Sequence, residues 1–153
     1  MLSPGESGSR SCDVLIVEDD VVQCEEMASF LARSGLQVVT ANNAAQAQRI
    51  VASVTPRVAL LDYNLPDITG VELAGALRAA LPETAILMMS GRIDGLSEQT
   101  LAKLGITVFL NKPLPLGPLR QAVLKLVRAV PVDQSVQRRQ PGWLAAGVGG
   151  TRR

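Results

Sequence analysis

Five short, largely apolar runs alternate with segments of helical spacing, and this alternation constrains the fold more than any other feature of the sequence. The runs are Val14-Leu15-Ile16-Val17, Leu36 to Thr40, Val58-Ala59-Leu60-Leu61, Ala85-Ile86-Leu87-Met88-Met89 and Ile106-Thr107-Val108-Phe109-Leu110. Strands without polar alternation are buried on both faces, and helices between them supply the cover. Val21, Cys24, Ala28 and Leu31 recur at helical spacing until Gly35 supplies a stop. Ala44, Ala47, Ile50 and Val51 mark a second helical face that ends before Pro56. Thr69 with Glu72 forms a capping box opening a third helix, with Val71, Ala74 and Leu77 inward and Pro82 closing it. A weaker helix spans about Ser97 to Leu104. Pro118, suited to a first helical turn, precedes Leu119, Val123, Leu126 and Val127 on the last helical face. With right-handed crossovers, the expected class is α/β, a doubly wound five-stranded parallel sheet with five helices.

The boundaries follow from composition. Residues 1–11, rich in Ser and Gly, read as a disordered lead, and residues 12–130 as one domain. Residues 131–153, Pro-, Gln- and Gly-rich, read as a flexible C-terminal tail with no output domain. The tail arginines Arg138, Arg139, Arg152 and Arg153 read as solvated. Trp143 is either a docking element or part of a disordered end.

Lysine plus arginine (15) nearly cancel aspartate plus glutamate (14), so no global field draws the chain to nucleic acid or an anionic membrane. Without any histidine it cannot carry a phosphohistidine, a His-based triad or a His-rich zinc site. Cys12 and Cys24 have neither metal-ligand nor disulfide-framework spacing, and Cys24 reads as core. The sequence start lacks a basic region followed by an apolar stretch, and no run approaches the roughly 18 apolar residues a membrane span needs. The cytoplasm is the expected location.

In a doubly wound sheet the reactive crevice lies beyond the carboxyl ends of the strands. Glu18, Asp19, Asp62, Ser90 and Lys112 each follow a strand and belong there. Carboxylates brought together repel one another, and a hard divalent cation such as magnesium removes that cost while leaving positions for phosphate oxygens. Asp62 at such a site can serve as a nucleophile toward phosphorus, giving an acyl phosphate. The negative charge of the transition state calls for counter-charge, which Lys112 supplies as an ammonium and Ser90 as a hydroxyl donor.

The fragments Val-Leu-Ile-Val-Glu-Asp-Asp, Leu-Leu-Asp-Tyr-Asn-Leu-Pro-Asp-Ile-Thr-Gly, Met-Met-Ser-Gly and Phe-Leu-Asn-Lys-Pro, in this order, resemble the motifs of response-regulator receiver domains. The resemblance covers roughly Asp13 to Val130 and is to the stand-alone, single-domain type. It implies a flavodoxin-like sheet of strand order 2-1-3-4-5. It also implies Asp62 as phosphoacceptor, with magnesium held by Glu18, Asp19, Asp62 and the backbone carbonyl of Asn64. Lys112 and Ser90 would contact the phosphoryl group. Ser90 and Phe109 would form a switch altering the face of the fourth helix, fifth strand and fifth helix. The implied partners are a sensor histidine kinase or histidine phosphotransfer protein and a downstream protein target, with no nucleic acid bound by the domain itself and no membrane.

Two positions depart from the commonest pattern: Glu18 stands where aspartate is frequent, and Phe109 replaces tyrosine and so lacks a hydroxyl. Ser90 and Phe109 also admit plain readings as turn and core residues. Pro66, Thr69 and Gly70 read as turn and capping residues. Arg92 and Asn64 are candidates to border the path of attacking water and tune phosphoryl lifetime. Self-phosphorylation and self-dephosphorylation would not make the chain a metabolic enzyme. Two other classes stay open: a receiver-like interaction module that works without phosphorylation, and an aspartate-nucleophile phosphohydrolase, against which the lack of a cap domain argues.

Overall fold

In the computed structural model, which describes residues 10–90, 98–112 and 115–129, ten elements alternate along the chain. They are β1 (Arg10–Val17), α1 (Val21–Ala32), β2 (Val38–Ala41), α2 (Ala44–Val51), β3 (Val54–Asp62), α3 (Gly70–Ala80), β4 (Ala85–Ser90), α4 (Glu98–Lys103), β5 (Ile106–Asn111) and α5 (Leu116–Ala129). The strands form one parallel sheet in the order β2-β1-β3-β4-β5. Arg92, Trp143, the four tail arginines and the side chain of Phe109 lie outside the described residues.

The runs of β1, β3 and β4 are buried on both faces, and their period of two divides them between two cores, while β2 at the sheet edge is only partly covered. Leu15, Val17, Ala59, Leu61, Ile86 and Met88 pack with α2, α3 and α4. Val14, Ile16, Val58, Leu60, Leu87 and Met89 pack with α1 and α5. Burying such side chains is worth about 1.5–3 kcal/mol each for the larger ones, which holds the helices against the sheet. The predicted capping box forms: Glu72 N–H donates to Thr69 Oγ1 (3.1 Å) while Thr69 N–H donates to Glu72 Oε1 (3.0 Å).

Several details differ from expectation. Arg10 and Ser11, assigned to the disordered lead, open β1, because β3 extends back to Val54 and pairs Arg10 with Val54 and Ser11 with Thr55. Backbone pairing there extends past the apolar stretch that signals a strand. Pro56 lies inside β3 at a point where β4 has not yet begun to pair, and its carbonyl accepts from the buried Thr84 hydroxyl (2.7 Å). Pro118 does fall where expected, as the third residue of α5, within the first turn whose N–H groups lack helical acceptors. Val21 is 53% exposed, since the inward stripe of α1 is Cys24, Met27 and Leu31. In α3 the deepest positions are Leu73, Ala74 and Leu77, with Val71 at their edge.

Candidate functional site

The sheet register assembles the site before any side chain is considered. Val17 pairs with Leu61, so the next residues, Glu18 and Asp62, leave neighbouring strands side by side. The chain passes from β1 outward to β2 and then back across to β3, which makes the β1/β3 boundary the switch point where a crevice opens. At the other end of the row Ser90 pairs with Asn111, and Lys112 N–H donates to the Ser90 carbonyl (2.9 Å).

Asp20, the third acid after β1, caps α1 by accepting from Gln23 N–H (3.0 Å), which leaves Glu18 and Asp19 for the crevice. Glu18, Asp19 and Asp62 each offer a carboxylate oxygen, and these oxygens lie within 4.8 Å of one another. Glu18 and Asp62 are buried, Asp19 exposed. The Lys112 ammonium donates to Glu18 Oε1 at 2.7 Å and to Asp62 Oδ2 at 3.0 Å. Glu18 Oε2 accepts from Asp20 N–H (3.2 Å), and Asp62 Oδ1 from Asn64 N–H (3.1 Å). Ser90 is fully buried at the end of β4.

Burial pushes the Glu18 carboxyl up to about 7; the bond from Lys112 opposes this and the neighbouring Asp62 adds to it. Burial works against the charged form of Lys112, but its bonds to Glu18 and Asp62 outweigh it and hold the ammonium above its ordinary range. One ammonium against three carboxylates leaves the cluster net negative. Its donor set is all oxygen, which suits a hard divalent cation rather than a thiophilic one.

The loop from Tyr63 to Thr69 is held tightly. Tyr63 N–H donates to the Met89 carbonyl (2.7 Å), Gly70 N–H to the Tyr63 carbonyl (2.7 Å), and Asn64 bridges to Thr69. Gly70 has a role beyond the turn function read from sequence: a Cβ there would lie 2.5 Å from the Asp62 carbonyl oxygen and 2.8 Å from Tyr63 Cα. The available signal was a glycine in a first helical turn, where propensity disfavours it without a packing reason. Asp67, also passed over, accepts from Ala44 N–H (3.0 Å) and Ala45 N–H (2.9 Å), which hold its carboxyl below the usual carboxylate range.

Thus Glu18, Asp19, Asp62 and Lys112 converge, Asn64 joins them through its backbone, and Ser90 lies in the adjoining strand end. Sheet order and crevice position define a doubly wound domain of the flavodoxin-like class. Residues 14–124 match the family model of the response regulator receiver domain, and the chain belongs to that family.

It is similar to the transcriptional regulatory protein KdpE of Mycobacterium tuberculosis, 31% identical over 127 residues that make up 80% of this chain and 56% of that protein. The chain therefore spans about half the length of this curated relative. Among solved structures it is similar to a CheY-like receiver domain protein from Methanospirillum hungatei JF-1 (TM-score 0.72, 21% identity, 80% of this chain and 96% of that one). It is also similar to the response regulator TrrA from Thermotoga maritima, solved in complex with Mg(2+)-BeF (TM-score 0.67, 23% identity, 76% and 98%). Among the described residues, no helix is long and apolar enough to cross a membrane.

Proposed function

We propose that this chain is a phosphoacceptor receiver of two-component or phosphorelay signalling, phosphorylated on Asp62 in a magnesium-dependent reaction. The observation that carries it is the meeting of Asp62 with Glu18 and Asp19 on one side and the Lys112 ammonium, 3.0 Å away, on the other. Family membership and a relative solved with Mg(2+)-BeF support the same reading.

Glu18, Asp19, Asp62 and the backbone carbonyl of Asn64 would hold the metal, which when bound supplies positive charge for the phosphoryl oxygens. Asp62 is the nucleophile: a carboxylate oxygen forms a bond to phosphorus as the bond from phosphorus to a donor histidine nitrogen breaks, leaving an acyl phosphate and an imidazole. Lys112 neutralises charge on the transferred group. Its ammonium is already beside Asp62, so little reorganisation is needed. The Asn64 N–H bond to Oδ1 orients the carboxylate. Ser90 would donate its hydroxyl to the phosphoryl group, and Phe109 would follow, changing the face of α4, β5 and α5 that a downstream protein reads.

The donor is a histidine kinase or histidine phosphotransfer protein, since this chain contains no histidine. The near balance of charge favours protein contact over nucleic acid as the receiver's own output. The cytoplasm is the proposed site of action, and the turnover times a signal instead of serving as metabolic catalysis. Incubation with magnesium and acetyl phosphate, followed by intact mass measurement, tests the assignment. A phosphate-sized gain that is lost in Asp62→Asn is expected; a wild-type chain with no gain would leave a module that binds partners without phosphorylation.

A further inference from the structure

The groups that would hold the metal stand in two places, Glu18 and Asp19 on the loop after β1, and Asp62 and the Asn64 backbone at and just beyond the end of β3. A third loop, between β2 and α2, touches both. Asn42 Nδ2 donates to the backbone carbonyl of Glu18 at 3.0 Å. Two residues later, the N–H groups of Ala44 and Ala45 donate to the two carboxylate oxygens of Asp67 at 3.0 and 2.9 Å. Asp67 Oδ1 also accepts from Ile68 N–H (3.2 Å), which ties that carboxylate to its own loop three residues beyond Asn64.

Ordinary helix capping does not require this arrangement. The N-cap of α2 is Asn43, whose side chain accepts from Gln46 N–H (2.7 Å), and Asn42 N–H donates to Gln46 Oε1 (2.6 Å). The start of α2 is thus locally rigid. The two N–H groups that remain are satisfied from 22 and 23 residues downstream, by the loop that bears Asn64.

We propose that Asn42 and Asp67 are positioning residues, the two ends of a strut through the start of α2 that sets the spacing between the Glu18/Asp19 loop and the Asp62/Asn64 segment. The strut touches neither the metal nor the phosphoryl group. It would limit how far the two halves of the oxygen cage can shift apart as they close on a small octahedral cation, whose geometry tolerates little departure. Residues that orient metal ligands typically change affinity by about 10- to 100-fold when removed, and this strut, acting through backbone, belongs at the lower end. The proposal rests on the magnesium site of the proposed function.

The test is magnesium titration calorimetry on the full chain, with thermal melting of each variant alongside. Asp67→Ala and Asn42→Ala are expected to weaken magnesium binding roughly 10-fold. The double variant should be little worse than either single one, because both cut the same strut. Asp67→Asn, which keeps one acceptor oxygen, should fall between wild type and Asp67→Ala, and it serves if the alanine variant does not fold. Asn43→Ala removes the local cap of α2 and is expected to lower the melting temperature with magnesium affinity unmoved. An unchanged affinity in Asp67→Ala, or an equal loss in Asn43→Ala, overturns the strut while leaving Asp62 phosphorylation standing. A wild-type chain that binds magnesium but gains no phosphate mass overturns the phosphoacceptor reading and leaves the strut to the calorimetry.

Discussion

Gly70→Ala is a small change placed where α3 meets the backbone that carries Asp62. The new Cβ would lie 2.5 Å from the Asp62 carbonyl oxygen, 2.8 Å from Tyr63 Cα and 2.9 Å from Met88 Sδ. Met88 can swing its sulfur aside, but the other two atoms are main chain. Ordinary contact lies near 3.5 Å, so helix and strand end must separate by roughly 1 Å. Alanine in place of glycine favours a helix by up to about 1 kcal/mol, less in a first turn. Overpacking of this kind costs about 1–3 kcal/mol, and the 2.7 Å bond from Gly70 N–H to the Tyr63 carbonyl is stretched as well. The clash wins, and the expected net loss is about 1–2 kcal/mol in urea unfolding. A misplacement of about 1 Å at a reacting carboxylate can lower a rate by as much as 100-fold. Mass spectrometry of phosphorylation by acetyl phosphate should therefore show a 10- to 100-fold slower gain. A variant as stable as wild type and phosphorylated at the same rate would refute the claim that this close approach sets the position of Asp62.

Two further outcomes follow from the geometry. The Arg78 guanidinium donates to four carbonyls, those of Leu81 (3.3 Å), Pro82 (2.7 Å), Leu104 (3.2 Å) and Gly105 (3.2 Å), and so joins the end of α3 to the turn between α4 and β5. Arg78→Ala should destabilise by about 2–3 kcal/mol in urea unfolding, with Arg78→Lys recovering only part because an ammonium cannot reproduce the planar fork; full recovery would contradict this. The second concerns pH: burial pushes the Glu18 carboxyl up to about 7 from its ordinary value of 4.5. Its contribution to metal-free stability is present below about pH 4.5 and is lost as pH rises through about 7, because the folded chain holds the proton longer than the unfolded one. Metal-free wild type should lose stability relative to Glu18→Gln between pH 5 and 8, and a constant difference across that range would show that Glu18 titrates normally.

Periodicity and residue chemistry determined much of this protein. Apolar runs such as Ala85 to Met89, short and alternating with helical segments, read as central strands, the stripe of Leu119, Val123 and Val127 as a helix laid on them, and Thr69 with Glu72 as the start of α3. The position of Glu18, Asp19, Asp62, Ser90 and Lys112 after strands was equally local, so the members of the candidate site could be named from sequence. Long-range register and packing decided the rest. The ammonium of Lys112 reaches Glu18, 94 residues away, only because β1, β3, β4 and β5 lie in that order, and the burial that raises the Glu18 pKa belongs to the folded crevice. Gly70 against Asp62, Asp67 on the start of α2 and the extension of β1 to Arg10 are likewise meetings of distant backbone, which leave no period in the sequence because each depends on where another segment has been placed.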